Sequence, residues 1–225
     1  PEPTYYRHLK KLVYRGEVRR QYINQLELVE KRIAVNPEDV RACLENLRTT
    51  TNVEIRTMHA EDFEKMSEHY GFEYEPNVLA VAGKLLDDPS ETIRLCAIIA
   101  LRNILKRTKD DKIIGRIIDG NLKKIEKISL ANALIENRQN AIALLSQMGD
   151  SSAIETFIEI VRRTDDKDYA QMRYVLEGAL ADPDSNLLKQ HKDHIRVRLE
   201  ELLKDPKEEV KERSRSIFRK LREQL

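Results

Sequence analysis

His191 and His194, with Asp193 between them, are the nearest approach to a metal site in the chain. Residues three apart share a helix face and offer two ligands, whereas Zn²⁺ takes three or four. Lys189, Lys192 and Arg196 surround the pair and oppose a divalent cation, so it reads as an exposed helix and the metal assignment is none. His59 with Glu61 and Asp62, and His69 with Glu73, read as capping or solvated residues. Cys43 and Cys96 are the two thiols. Cys96 lies inside the apolar run Leu95 to Leu101 with no base at a recognisable spacing, and an apolar setting raises a thiol's pKa. Gly-rich phosphate loops, nucleophile elbows and dinucleotide fingerprints are missing. These residues imply no catalytic group, no cofactor and no small-molecule substrate.

Binding chemistry is better represented. Tyr5, Tyr6, Tyr14 and Tyr22 are half of the eight tyrosines, and they are interleaved with Arg7, His8, Lys10, Lys11, Arg15, Arg19 and Arg20. Basic side chains neutralise phosphates and tyrosines stack on unpaired bases, so this segment is a candidate nucleic-acid contact. The competing reading is an amphipathic helix pair whose tyrosines cover one end of the fold. A second basic set, Lys106, Arg107, Lys109, Lys112 and Arg116, surrounds one inter-helix turn. It suits phosphates, an acidic protein partner or plain solvation.

Composition narrows the classes. The chain has 225 residues, 40% of them hydrophobic, 35% charged and 5% aromatic, with no Trp and a formal net charge of +1. Such a balance gives no global attraction to nucleic acid or membrane. The charges are unevenly placed: residues 60–91 hold nine acids against two bases, and 102–127 hold nine bases against four acids. The longest apolar run has seven residues, far short of the ~20 that span a bilayer. With no apolar leader at the start and two cysteines at helix-core spacings, a reducing compartment is expected, cytoplasmic or, in a eukaryote, nuclear.

The elements that carry these residues follow a helical period. A small or apolar residue followed by apolar residues at +3, +4 and +7 occurs four times: Ala97-Ala100-Leu101-Ile104, Ala141-Leu144-Leu145-Met148, Met172-Val175-Leu176-Ala179 and Ser214-Ile217-Phe218-Leu221. The offsets are 44, 31 and 42 residues, and recurrence at such a period signals a helical solenoid. Strand-like alternation is almost lacking and Gly is scarce at seven residues. Pro37 opens a helix bearing Val40, Cys43, Leu44 and Leu47, where its missing N–H costs nothing. A short helix around Phe63, Met66 and Tyr70 lies between polar breaks at 49–52 and 71–76. Gly115 and Gly120 interrupt the pattern across 105–135, and the final helix covers Lys207 to Leu225.

Asp88-Pro89, Ile93-Arg94, Ala97 and Ala100-Leu101 resemble the first half of a HEAT repeat, and Asp205-Pro206, Val210-Lys211, Ser214 and Ile217-Phe218 repeat that wording. Asn140 to Asp150, followed by Ala153, Ile154, Phe157, Ile158 and Val161, resembles the turn and second helix of such a unit. The likeness covers 77–225 and implies an all-α fold, a right-handed α–α superhelix of antiparallel helix pairs. Residues 1–76 are a helical extension or divergent repeats. The Asp is expected to accept amide hydrogen bonds at the helix start, with Pro at the first helical position. The resemblance implies a non-enzymatic scaffold for a protein or peptide partner, its concave side built from second helices at 154–163 and 194–203. Glu155, Glu159, Arg162, Arg196 and Arg198 would then supply specificity. The alternative is nucleic-acid binding through Tyr14, Arg15, Arg19, Arg20, Lys106, Arg107 and Lys109. HEAT-like base glycosylases use aromatic clefts that include Trp, which this sequence lacks.

Overall fold

The computed structural model describes residues 36–69, 71–131 and 134–223. Among these, ten α-helices follow one another with no strand: α1 Pro37–Thr49, α2 Val53–Met66, α3 Val78–Leu85, α4 Glu91–Arg107, α5 Asp111–Leu130, α6 Ile135–Met148, α7 Ser152–Arg162, α8 Tyr169–Ala181, α9 Asn186–Leu202 and α10 Glu208–Glu223. A single 3-10 turn, Phe72–Tyr74, precedes α3. None of the described helices is long and apolar enough to cross a membrane.

The helix starts show how local chemistry sets the boundaries. Asn36 and Asn52 occupy N-caps, and their side chains accept the amides of Glu38 and of Glu54 and Ile55. Pro37 stands at the first helical position, as its sequence context implies. Pro89 does not. The helix after it begins at Glu91 with Ser90 at the N-cap, and Asp88 instead accepts the Ser90 amide at 2.8 Å. The carboxylate closes a tight turn two residues ahead of the helix. The same turn recurs where Asp150, Asp166, Asp182 and Asp205 accept from Ser152, Asp168, Asp184 and Lys207. Pro89 and Pro206 are both exposed.

Two further boundaries differ from the sequence expectation. The segment around Phe63 is a 14-residue helix rather than a short one. Gly115 and Gly120 do not interrupt anything: α5 runs through both for 20 residues. A glycine in a helix costs about 1 kcal/mol relative to Ala. Burial of Ile113, Ile117, Ile125 and Ile128 along one face outweighs that.

Stacking follows an alternate order. The even-numbered helices α2, α4, α6, α8 and α10 each pack on the next even helix, and α1, α3, α5, α7 and α9 do the same in a second layer. Consecutive helices join the layers through short turns, which makes neighbours antiparallel. The four +3/+4/+7 stripes lie on α4, α6, α8 and α10 and face inward. Leu101, Leu145, Leu176 and Ile158 of α7 are fully buried or nearly so, while Phe218 and Val175 are only partly covered. Small residues in the even layer, among them Ala97, Ala100, Ala141, Ala179 and Ser214, let those helices approach closely. The odd layer fills its seams with Ile, Leu and Phe and is more widely spaced. The even helices are therefore the more closely packed of the two layers. The chain is an all-α solenoid.

Gly149 ends α6 in the left-handed region at φ 71°, and its amide reaches back to the Leu145 carbonyl. A Cβ there would meet Gln190 and Asn186 of α9 at 3.2 and 3.3 Å. An L-residue in this conformation costs about 1–2 kcal/mol. Gly149→Ala is therefore expected to lower the unfolding free energy by about that amount in urea titrations, with an unchanged slope.

Candidate functional site

The even layer carries a groove of about 790 Å³, lined by Arg102 of α4, Ala143, Ser146 and Gln147 of α6, Tyr174, Val175, Glu177, Gly178, Ala179 and Ala181 of α8, the turn 182–185 and Lys220 of α10. Four consecutive even helices build it, because their small residues keep the floor shallow and continuous. Its polar members are anchored from below. The Ser146 and Ser185 hydroxyls pair at 2.8 Å, and Asn186 donates to the Gln147 carbonyl at 2.8 Å. Along the same layer Gln139 donates to the Gln171 carbonyl at 2.9 Å, and Asn103 to the Ser67 hydroxyl at 3.0 Å.

Charge in the groove is concentrated at two points. The Glu177 carboxylate is 2% exposed and gathers Lys220, the Ser216 hydroxyl at 2.7 Å and Arg173 at 3.4 Å. Burial raises its pKa, but the Lys220 and Ser216 hydrogen bonds outweigh that, and the net direction is down. Arg102, at the other side, donates to the Asn140 side-chain oxygen. Tyr174 stands over the groove with its side chain 79% exposed and the Lys220 ammonium 5.5 Å from its ring centre. An aromatic ring this open to solvent at the groove is a candidate contact for a ligand.

The residues singled out from sequence distribute differently. Glu155, Glu159 and Arg162 belong to α7, and Arg196 and Arg198 to α9. Both helices are in the odd layer, and none of these five lines the groove on the even helices. The structure brings Glu155 and Arg198 together at 2.6 Å, with His194 at 3.7 Å from the same carboxylate. Glu159 pairs with Arg163, and Arg196 lies near Asp193 and Glu200. Arg107 turns inward to Glu73, 3.1 Å away and 1% exposed, and to the Ser67 carbonyl. Lys106 and Lys109 are exposed beside the following turn. Tyr14, Arg15, Arg19 and Arg20 lie outside the described residues.

The histidine pair does not form a ligand face. His191 leaves helical geometry at φ −133°, ψ 27°, kinking α9, and its Nε2 lies 2.9 Å from the Gly149 carbonyl. Among the described residues no group of three or more His, Cys, Asp or Glu is placed to hold a metal ion. Cys43 and Cys96 are buried, and burial pushes both thiols up to about 12. Neither is a thiolate near neutral pH.

No family model matches the chain, and no curated protein does. Solved structures do. An engineered protein aligns at a TM-score of 0.52 with 20% identity, over 83% of this chain and 80% of that one. A computationally designed armadillo repeat protein for modular peptide recognition aligns at 0.50 with 17% identity, over 79% and 80%. A designed armadillo repeat protein in complex with the peptide (KR)4 aligns at 0.52 with 16% identity, over 94% and 98%. At these identities the likeness shows the fold: an armadillo-like helical-repeat solenoid.

Proposed function

We propose that this chain is a non-enzymatic scaffold that binds an extended peptide segment of a partner protein along the groove on its even-numbered helices. The observation that carries the reading is the groove across α4, α6, α8 and α10 with Tyr174 exposed above it. Its floor offers amide and hydroxyl groups at the spacing of successive helices, which suits a chain lying across them. Two of the similar folds lend support, one designed for modular peptide recognition and one complexed with (KR)4. A repeat stack presents such a surface without any catalytic residue.

Nucleic acid is the weaker reading. Arg107 is committed to Glu73, and among the described residues of that basic set Lys106, Lys109, Lys112 and Arg116 are exposed with no aromatic side chain among them to stack on bases.

Selection of a displayed random-peptide library on the intact chain, followed by titration of a selected peptide, tests the proposal. Tyr174→Ser is expected to weaken the selected peptide by about tenfold or more, since truncating an aromatic anchor costs over ~1.4 kcal/mol. Its melting temperature should not move, because Tyr174 is 79% exposed. Equal affinity of the two proteins, or a library that yields no ligand, sinks the reading.

A further inference from the structure

Two cations line the groove, Arg102 and Lys220, and Arg102 is the one without a counter-charge. Its side chain is half-buried on α4. The hydrogen bond it makes goes to a neutral atom, the Asn140 Oδ1. Asn140 is itself held by donation of its Nδ2 to the Glu136 carbonyl at 3.0 Å, which turns the oxygen toward the guanidinium. The Arg102 Nε is buried with no acceptor. Among the described residues no carboxylate lies within 4.0 Å of it, whereas Arg56, Arg107, Arg138, Arg198 and Arg213 each have one.

Taking an arginine out of water without a partner is unfavourable, and the favourable solution is a paired, hydrogen-bonded charge. Burial accordingly lowers the Arg102 pKa, with no acid opposing it. The planar guanidinium offers five N–H groups in a fork that fits a carboxylate with two parallel bonds, and one of them is spent on Asn140.

We propose that Arg102 is the specificity-determining anchor of the groove and receives the side-chain carboxylate of an Asp or Glu in the bound peptide. The inference rests on the peptide-binding reading above and adds the chemistry of one position. A single negative charge fits better than a phosphate, which carries nearly two. Glu177 and the exposed Asp182 and Asp184 line the same groove and repel the larger charge. Glu177 has its own cations, so it does not supply Arg102 with a partner.

The test is parallel selection of one random-peptide library on the wild type, on Arg102→Gln and on Arg162→Gln, the last in the odd layer and outside the groove, as a control. Wild type and Arg162→Gln should return peptides with Asp or Glu at one fixed position, and Arg102→Gln should lose that preference. Changing that acid to its amide should weaken binding tenfold or more to the wild type and less than twofold to Arg102→Gln, the signature of direct coupling. Arg102→Gln should melt at the wild-type temperature or above it, because the uncompensated charge is gone. Peptides without an acidic position, an undiminished acidic preference on Arg102→Gln, or a marked fall in its melting temperature each overturn the inference and leave peptide binding standing. A library that yields no ligand for any of the three proteins overturns peptide binding itself.

Discussion

Leu145→Ala lowers the unfolding free energy by about 2–5 kcal/mol, the range for a buried leucine whose surroundings collapse only in part. Leu145 has no exposed surface. It sits on α6, the helix that packs against α4, α5, α7, α8 and α9, so both layers line the space its side chain leaves. The transfer of lost methylenes accounts for the lower part of the range, and the residual cavity accounts for the rest. Chemical denaturation by urea, read through the midpoint at fixed slope, measures it. A loss below ~0.5 kcal/mol would show that the stripe does not face the stack interior. Phe218→Ala, at the partly covered position of the corresponding stripe on α10, should cost less than Leu145→Ala despite the larger side chain.

The contrast between those two substitutions shows how far a one-dimensional pattern reaches. The +3/+4/+7 spacing locates the inner stripes of α4, α6, α8 and α10 because each is a local, single-helix pattern. It does not say which member is left half-covered, since that depends on the neighbours each helix meets in space. The Asp-Pro pair at 88–89 is visible in sequence, but its role lies two residues earlier in the turn than a helix-start reading allows. The same turn at Asp150 and Asp166 has no proline, and Asp182-Pro183 has one outside the repeat wording. Gly115 and Gly120 mislead in the opposite sense, because their propensity penalty is smaller than the gain from the isoleucine face around them.

The candidate site is much less legible, for a topological reason. The groove belongs to alternate helices, so its residues come from segments separated by an intervening helix of the other layer. Arg102 and Arg107 stand five apart on one helix and look alike in sequence. One meets only an amide, and the other meets Glu73, brought near by the turn ahead of α3. Tyr174 adjoins the buried stripe of α8, and nothing local marks it as the residue that points outward. The tighter layer is likewise hidden. Which set of helices packs more closely follows from its small residues, a comparison that requires knowing the pairing first.

Arg138→Gln should be among the most destabilising polar substitutions in this chain, costing about 3–5 kcal/mol. The Arg138 side chain is 3% exposed and ties three segments together. Its Nε donates to the Ser129 carbonyl at the end of α5 at 3.2 Å, and its Nη1 to Asp166 at 3.0 Å and Asp168 at 3.3 Å in the turn before α8. A second bond from Nη2 to Asp166 completes a bidentate pair. Removing the guanidinium leaves Asp166, whose side chain is 8% exposed, as a buried charge without its partner. The hydrogen bonds from Arg138 hold the Asp166 carboxyl below the usual carboxylate range. A depressed folded-state pKa adds stability above the unfolded value of about 3.9 and loses it as pH falls through the lower folded value. The wild type should therefore weaken as pH drops below about 4, and Arg138→Gln should show a shallower decline over the same window because the depression is relieved. Urea midpoints of both proteins across that window provide the check. Parallel curves would show that Asp166 draws its low pKa from groups other than Arg138, and a cost under ~1 kcal/mol at neutral pH would show that water replaces the arginine in the turn.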